Sequence, residues 1–298
     1  IAAWHNSKIR EVDLETGDVT DWCGDGRRAY VGDGVDCSVT GPTAVAFDLP
    51  AAITWDPDGN LVVMDQANQV IRTIDSEQNV TRLAGNCIID QPPGAGGPGP
   101  CAPEAMLACP GTAKMTCGVP ADTCGLPCNP GYVGGTAADL RMAQPFGQSA
   151  DPAGRIAYDA DGNLLWVDTE NSLVRMLDSE GNDTIVAGLP PAEGMQQKGY
   201  SGDGGPANEA KLNRPVDIAI DEDGTIYVSD VFNNCIRAID PEGDISTFAG
   251  VCGERDYGGD GGPANQAFLK LPYGIEISGD VMYIADTGNS RIRAVRLR

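Results

Sequence analysis

The chain has 298 residues, 41% of them hydrophobic, so it can bury a core in one large domain or two ordinary ones. It carries 43 acidic and 20 basic residues, for a net charge of −23. This field repels a phosphate backbone and an anionic lipid surface, which argues against nucleic acid as a partner. No apolar run approaches the ~20 residues of a transmembrane helix, so no membrane span is predicted.

Glycine and cysteine usage indicate the fold class and the compartment. With 39 glycines and 21 prolines, the composition favours short strands joined by turns over helices. The ten cysteines are even in number, contain no C-x-x-C, and accompany a single histidine, so they predict disulfides rather than a zinc site. All ten are expected to pair in a secreted or cell-surface protein: Cys23, Cys37, Cys87, Cys101, Cys109, Cys117, Cys124, Cys128, Cys235 and Cys252.

One eight-residue pattern, D-x-x-N-x-x-[IV]-R, recurs along the chain and is called the marker below. Its first full copy runs from Asp65 to Arg72, and an earlier copy has Ala3 in place of the aspartate. The marker asparagines are 62, 103, 62 and 56 residues apart: Asn6, Asn68, Asn171, Asn233 and Asn289. A period of about 60 residues with one long gap indicates an array of supersecondary repeats with one insertion.

Each repeat predicts four short strands, a to d, in which apolar residues alternate and Gly-containing turns separate the strands. In the clearest copy these are Val216–Asp221, Ile226–Asp230, Cys235–Asp240 and Ile245–Ala249. The first copy lacks strand a and the last lacks strand d. We therefore expect a chain cut from a longer protein, in preference to termini that complete each other's repeat.

The repeat resembles the NHL repeat in G-D-G-G-P-A, L-x-x-P-x-G-I, D-x-D-G-x-[IL]-Y-V-x-D and D-x-x-N-x-x-I-R, over nearly the whole chain outside residues 86–133. NHL repeats form four-stranded blades arranged radially, usually six to a ring. The resemblance implies an all-β, NHL-type β-propeller that spans residues 1–298. Five copies fit either the larger part of a six-bladed parent or a five-bladed ring.

Residues 86–133 fall in the long gap and are rich in Cys, Gly and Pro. Six cysteines among few large apolar residues predict an inserted loop held by disulfides, whose pairing the sequence does not choose. Its role is open between a stability clip and a recognition loop. The other four cysteines predict two local bridges, Cys23–Cys37 and Cys235–Cys252.

Catalysis finds little support in the sequence. A Ser-His-Asp or Cys-His arrangement needs a base, and His5, expected on a surface turn, is the only histidine. Related propellers include lyases with histidine-bound zinc, which this chain cannot supply, and gluconolactonase-like enzymes with a divalent metal held by Glu, Asn and Asp. The acidic composition leaves the second class open, although no non-repeating Glu/Asn/Asp set marks it. No cofactor is predicted.

The Asp-x-Asp-Gly turns superficially resemble calcium loops: Asp56/Asp58, Asp159/Asp161 and Asp221/Asp223. They lack the later ligands of a calcium loop, and hairpin turns already explain them, so calcium is an alternative only. For the marker we expect the asparagines to bond their own backbone and the arginines to pair with acids or carbonyls between blades. Residues needed in every blade build the blade, and binding residues should differ between blades.

The Gly-Asp-Gly-Gly-Pro loops begin at Gly202 and Gly259 and are predicted to connect blades. A tyrosine precedes each acidic loop, and an aromatic side chain beside such a loop suits a protein or glycan contact. The candidate binding residues are therefore Tyr200, Asp203, Tyr257 and Asp260.

The predicted function is a non-enzymatic, extracellular binding or scaffolding module for a protein or glycan at the cell exterior, with self-assembly left open. One alternative is a metal-dependent hydrolase or lactonase with an acidic channel site. The other is a structural subunit of a surface layer or fibre, which the acidic surface with 6% aromatic residues permits.

Overall fold

The computed structural model describes residues 1–41, 43–85, 134–145, 150–192 and 195–298. Within these ranges the regular structure consists of short strands and three-residue 3₁₀ helices. No helix among them is long and apolar enough to cross a membrane. The predicted insertion, residues 86–133 with its six cysteines, lies outside the described residues. Two compact units emerge, Ile1–Pro152 and Ala153–Arg298.

The first unit contains two antiparallel sheets, named blades I and II. Blade I has the strand order β1-β2-β3 and blade II the order β4-β8-β7-β6-β5. The strands are β1 (Ala2–Ala3), β2 (Lys8–Val12), β3 (Val19–Cys23), β4 (Val35–Asp36), β5 (Pro50–Trp55), β6 (Leu61–Asp65), β7 (Val70–Ile74) and β8 (Asn79–Ala84).

The second unit contains blades III, IV and V, again antiparallel. Their strand orders are β12-β11-β10-β9, β13-β17-β16-β15-β14 and β18-β19-β20. The strands are β9 (Ile156–Tyr158), β10 (Leu164–Asp168), β11 (Leu173–Leu177), β12 (Asp183–Ala187), β13 (Gly205–Pro206), β14 (Pro215–Ile220), β15 (Ile226–Asp230), β16 (Cys235–Ile239), β17 (Asp244–Ala249), β18 (Pro272–Ser278), β19 (Val281–Asp286) and β20 (Arg291–Arg296).

The predicted four-strand repeat is confirmed. In blade IV the four predicted strands appear as β14 to β17, each within one residue of its expected bounds. Blade I holds strands b, c and d, and blade V holds strands a, b and c. The sequence did not predict β4 and β13, which pair with strand d at the outer edge of blades II and IV. Part of a Gly-Asp-Gly-Gly-Pro loop is therefore a short fifth strand.

The apolar core lies in layers between consecutive blades. One layer joins blades I and II through residues such as Ile9, Phe47 and Val63. In the second unit one layer joins blades III and IV, and another joins blades IV and V. The strands β6 and β10 are buried at every position and apolar up to a closing aspartate, as expected for strands covered on both faces.

The marker aspartate is a buried junction at the end of strand b. In blade IV, one oxygen of Asp230 accepts the backbone N–H of Asn213, in the loop that enters strand a, at 2.7 Å. Its other oxygen accepts Asn233 at 2.7 Å and lies 3.5 Å from Arg237. The same loop contact recurs at 2.7 Å in blades II and V. Burial raises the pKa of Asp230 to about 7, although Asn233, the Asn213 N–H and Arg237 all favour the charged form.

The marker asparagines behave differently from the prediction. Their carboxamides donate to the aspartate of the same marker, at 2.7 to 2.9 Å, in place of their own backbone. Asn233 also reaches the carbonyl of Gly199 in the preceding loop. A carboxylate three residues upstream is the stronger acceptor, so it captures the amide. The predicted pairing of the arginines with acids and loop carbonyls is confirmed.

Side chains just after the b–c bend tie neighbouring blades together. Each bend ends on a residue in left-handed backbone conformation, Ser172 in blade III and Asn234 in blade IV. The Ser172 hydroxyl accepts the backbone N–H of Arg214, and the side-chain carbonyl of Asn234 accepts the backbone N–H of Leu271. Arg214 and Leu271 each precede the proline that opens the next strand a. In the second unit a hydrogen bond thus fixes the entry of blades IV and V.

Both predicted local disulfides are present. Cys23–Cys37 joins the end of β3 to the residue after β4, and so links blade I to blade II. Cys235–Cys252 joins the first residue of β16 to the turn after β17. Each bridge anchors one end of a loop that carries a Gly-Asp-Gly sequence.

We predict that Asp230→Ala lowers the free energy of unfolding by about 3–5 kcal/mol, because it leaves Arg237 buried without its partner and strands an N–H donor. Urea unfolding at pH 8 measures the loss. As a matched control, Asp58→Ala at an exposed turn should change stability by less than about 0.5 kcal/mol. Equal losses for both variants would contradict the junction role.

Replacing Cys235 and Cys252 together by serine should lower the free energy of unfolding by about 2–4 kcal/mol, since the bridge restricts the unfolded chain. Denaturation of the oxidised protein and the double variant gives the difference. Alkylation without reduction, followed by intact mass, checks the pairing: any label on either cysteine of the parent protein speaks against it.

Candidate functional site

The loop that enters blade IV holds two of the four predicted binding residues. Tyr200 donates its hydroxyl to Asp203 at 2.9 Å, and the Thr247 hydroxyl donates to the same carboxylate at 2.6 Å. Arg237 pairs with Asp203, and its guanidinium carbon lies 5.0 Å from the centre of the Tyr200 ring. Tyr200 is nevertheless 45% exposed. We call this arrangement of tyrosine, aspartate and marker arginine the aromatic clamp.

Blade V repeats the aromatic clamp with the other two predicted residues. Tyr257 donates to Asp260 at 2.7 Å, and Arg293 pairs with the same carboxylate. Two guanidinium groups approach the ring of Tyr257, that of Arg291 at 4.5 Å and that of Arg293 at 5.4 Å. Tyr257 is 44% exposed. The structure thus brings each predicted tyrosine together with its predicted aspartate.

A third aromatic clamp, in blade II, was missed from the sequence. Tyr30 donates to Asp33, which lies 3.0 Å from Arg72, and the guanidinium of Arg72 lies 5.1 Å from the Tyr30 ring centre. Burial raises the pKa of the Tyr30 phenol, with the Asp33 carboxylate acting in the same direction. The shared pattern Tyr-x-Gly-Asp-Gly could have revealed this copy, because it stands in residues 30–34, 200–204 and 257–261, where Tyr257 is followed by Gly258.

The clamp carboxylates of blades IV and V are held in their charged form. Burial works against ionisation of Asp203, but Thr247, Arg237 and Tyr200 together hold its pKa below the usual value. The Tyr257 hydroxyl and Arg293 lower the pKa of Asp260. The clamps of blades IV and V therefore each present an aromatic ring beside a negative charge.

In blade III the marker arginine takes its second acidic partner from its own sheet and not from the preceding loop. The Ala137 carbonyl accepts the N–H of Gly85 as the Ala207 carbonyl accepts that of Gly188, and counted back from this alanine the sequence has Val133 where blade IV has Asp203. Arg175 instead pairs with Asp183 on strand d of its own blade, at 2.6 Å, and with Asp168 at 2.9 Å. The residue aligned with Asp183 in blades II and IV is a fully buried Val80 or Ile245. Asp183 thus replaces the missing loop acid.

One position does differ between blades, as binding residues should. It precedes the buried isoleucine of strand a and holds Arg155, Asp217 and Gly274 in blades III, IV and V. Asp217 accepts the N–H groups of Ile218 and Ile275 at 2.9 Å, and Arg155 lies 3.6 Å from Asp217. Burial raises the pKa of Asp217 to about 6, with Arg155 opposing. Backbone donors occupy both carboxylate oxygens, so this group ties blades IV and V together.

The Asp-x-Asp-Gly turns, which were the candidate calcium loops, have the hydrogen bonds of hairpin turns. Asp56, Asp159 and Asp221 each accept backbone N–H groups of their own a–b turn. Among the residues with described placement, no cluster of three or more His, Cys, Asp or Glu side chains could hold a metal ion. His5 is exposed in the 3₁₀ turn Trp4–Asn6, with its ring 4.2 Å from that of Trp4, as expected for a surface turn residue.

Comparison with known proteins gives three findings. A family model described as "Teneurin NHL domain" matches residues 136–257. A stretch of 169 residues, 55% of this chain, is 31% identical to Protein SUPPRESSOR OF QUENCHING 1, chloroplastic, of Arabidopsis thaliana and covers 15% of it. Teneurin-1 of Gallus gallus is 36% identical over 111 residues, which cover 37% of this chain and 4% of that protein.

The chain therefore matches only a small part of the length of these relatives. Among solved structures, an auxiliary nutrient binding protein from Bacteroides thetaiotaomicron superposes with a TM-score of 0.51 at 15% identity, covering 97% of this chain and 64% of the other. This likeness concerns the fold alone. Together with the repeated marker and the blade topology, the partial matches to the teneurin NHL model and to Teneurin-1 support the assignment of this chain to the NHL-repeat β-propellers.

Proposed function

We propose that this protein is an extracellular binding or scaffolding module that recognises a protein or glycan with Tyr200, Asp203, Tyr257 and Asp260. The observation that carries the proposal is the pair of aromatic clamps in blades IV and V. Each holds a tyrosine by its hydroxyl and by a guanidinium group, yet leaves nearly half of the residue exposed. An aromatic side chain fixed before binding loses little conformational entropy in a complex.

The chemistry of the clamps suggests the kind of partner. Each exposed ring stands beside an ionised carboxylate, in a chain with a net charge of −23. Such a surface favours a ligand with hydrogen-bond donors and an apolar or cationic face, for example the hydroxyl-rich face of a sugar or a basic patch of a protein. Both clamps belong to the second unit and lie in consecutive blades, so one partner can contact them together.

The disulfides support an extracellular location. Cys23–Cys37 and Cys235–Cys252 are formed, and such bonds persist in oxidising compartments. The high negative charge suits solubility outside the cell.

Substitution of both tyrosines separates a contact role from a purely structural one. We expect Tyr200→Ala/Tyr257→Ala to abolish capture of the partner found on arrays of extracellular protein domains and glycans. Tyr200→Phe/Tyr257→Phe keeps the rings and should retain most of that binding, while losing about 1 kcal/mol of stability for each lost hydroxyl bond. Biolayer interferometry and thermal denaturation give the two readouts. Unchanged capture by the alanine variant would remove the tyrosines from the site.

The alternative of a metal-dependent hydrolase or lactonase has a direct test. We expect neither calcium nor EDTA to shift the melting temperature, and no turnover on a panel of lactones and esters with or without divalent metal. The reason is that the carboxylates of the Asp-x-Asp-Gly turns already accept backbone N–H groups. A melting shift that coincides with metal-dependent turnover would favour the enzyme instead.

A further inference from the structure

The disulfide Cys235–Cys252 adjoins the exposed aromatic clamps. Cys235 is the first residue of β16, the strand whose third residue is the clamp arginine Arg237. In blade V the first residue of strand c is Arg291, whose guanidinium group lies 4.5 Å from the centre of the Tyr257 ring. The first position of strand c is therefore next to a clamp. Blade IV alone has a cysteine there, since the described strands c begin with Lys8, Val70, Leu173, Cys235 and Arg291.

On one side the disulfide supports the clamp of blade IV through Thr247. The Thr247 hydroxyl donates to Asp203 at 2.6 Å, and its oxygen lies 3.3 Å from the Sγ atom of Cys252. The disulfide sulfur has no proton to give and is a weak acceptor, so the hydroxyl proton stays with the carboxylate. The residues aligned with Thr247 in blades I, II and III are Asp21, Arg82 and Ile185. The hydroxyl that connects disulfide and clamp is thus particular to blade IV among the described strands d.

On the other side the disulfide holds the start of the loop that carries the clamp tyrosine of blade V. Cys252 precedes Tyr257 by five residues, and residues 253–257 are exposed. Near the end of this stretch, the carbonyl of Asp256 accepts the side-chain amide of Asn289, in blade V, at 3.0 Å. The loop is thus fixed to blade IV at one end by the disulfide and to blade V at the other end. One bridge therefore supports both clamps.

The two sulfur atoms differ in their access to solvent. Cys235 is fully buried, whereas Cys252 is only half-buried and is followed by the exposed loop. Thiol–disulfide exchange begins with a thiolate that reaches one of the two sulfurs. The exposed loop gives such a thiolate a path to Cys252, and Cys235 is then the leaving sulfur.

We propose that the disulfide Cys235–Cys252 is a redox switch, which holds the clamps of blades IV and V in order when oxidised and releases them when reduced by a dithiol. This inference rests on the proposed role of the clamps in recognition. Once the bridge is open, Cys252 is free to leave Thr247, and the loop before Tyr257 loses its anchor on blade IV. A partner then has to order both tyrosines as it binds, which lowers affinity.

The reduction is a two-electron exchange with a dithiol protein or with dithiothreitol. A thiolate of the dithiol attacks the Sγ atom of Cys252, which breaks the S–S bond, forms a mixed disulfide and releases Cys235 as a thiolate. The second thiolate of the dithiol attacks the dithiol's own sulfur in the mixed disulfide and releases Cys252 as a thiolate. The dithiol becomes a disulfide, and its two protons pass to the two cysteines.

Hydrogen exchange of paired cysteine variants tests the proposal without any partner. We expect Cys235→Ser/Cys252→Ser to speed amide exchange about tenfold or more in residues 199–204 and 253–261, read by mass spectrometry of the full 298-residue chain. The matched control, Cys23→Ser/Cys37→Ser, opens a bridge of similar separation in the first unit, 14 residues against 17, and should leave both segments at the parent rate. Unchanged exchange in the first variant, or the same increase in both variants, would overturn the proposal.

Variants of Thr247 separate its contact from a general loss of stability. Thr247→Val removes the hydroxyl but keeps the shape, so it should speed exchange about fivefold in residues 199–204 and leave residues 253–261 unchanged. Thr247→Ser keeps the hydroxyl and should exchange at the parent rate. Parent-like exchange in Thr247→Val would overturn the assignment of this residue as the link to the clamp.

A dithiothreitol titration joins the structural change to the redox state. Iodoacetamide labelling and peptide mapping give the reduced fraction of Cys252, and exchange in residues 199–204 should rise in step with this fraction. Full labelling of Cys252 without faster exchange, or no labelling before the chain unfolds, would overturn the switch. Because no partner enters these measurements, unchanged capture by the tyrosine variants would count against the proposed function alone.

Discussion

The fold depends on a buried carboxylate at the end of strand b. The marker aspartate accepts the N–H of the loop that leads into strand a, the amide of the b–c bend and, at 2.9 to 3.5 Å, the guanidinium group of strand c. Three segments of one repeat thus converge on a single side chain. Because an unpaired buried charge is costly, each partner of the aspartate becomes obligatory. This explains why aspartate, asparagine and arginine recur together at fixed spacing.

The aromatic clamps extend this junction to the surface. The marker arginine that reaches the buried aspartate on one side also holds the clamp aspartate and the tyrosine ring on the other. The exposed ring of Tyr200 is therefore connected, through Arg237, to the interior of blade IV. A surface built in this way is rigid, and rigidity is what a recognition surface gains from a repeat scaffold. Ring and core are held by the same side chain.

Much of the fold could be predicted from the sequence, because the repeat shows its own period and its strands alternate. Strands a to d of blade IV, the two disulfides and the incomplete blades I and V all follow from local patterns. The outer strands β4 and β13 could not be predicted, since two residues carry no periodicity. The prediction that the marker asparagines bond their own backbone was wrong, because a carboxylate three residues away competes with the backbone.

Only part of the candidate site could be predicted from the sequence. Tyr200 and Tyr257 stood out beside a visible Gly-Asp-Gly loop, whereas Tyr30 was hidden because Val35-Asp36 replaces the Gly-Pro that follows in the other copies. No sequence pattern marks Asp183 or Asp217. Sheet pairing brings Asp183 to Arg175, and blade packing brings Asp217 to the N–H of Ile275. Sequence shows what every repeat shares, while the single acids Asp183 and Asp217 take their roles from sheet pairing within a blade and from packing between blades.

The pairing of Arg175 with two acids of blade III has a consequence for how this chain can change. Arg175 takes its second carboxylate from Asp183 on its own sheet, where blades II, IV and V take theirs from the segment that leads into the blade. The segment that leads into blade III follows residues 86–133, the longest departure from the repeat. Its length and composition can therefore drift, or be exchanged for a foreign sequence, without leaving a stranded guanidinium group in the interior. Because both carboxylates paired with Arg175 belong to blade III itself, a change in the preceding sequence removes neither of them.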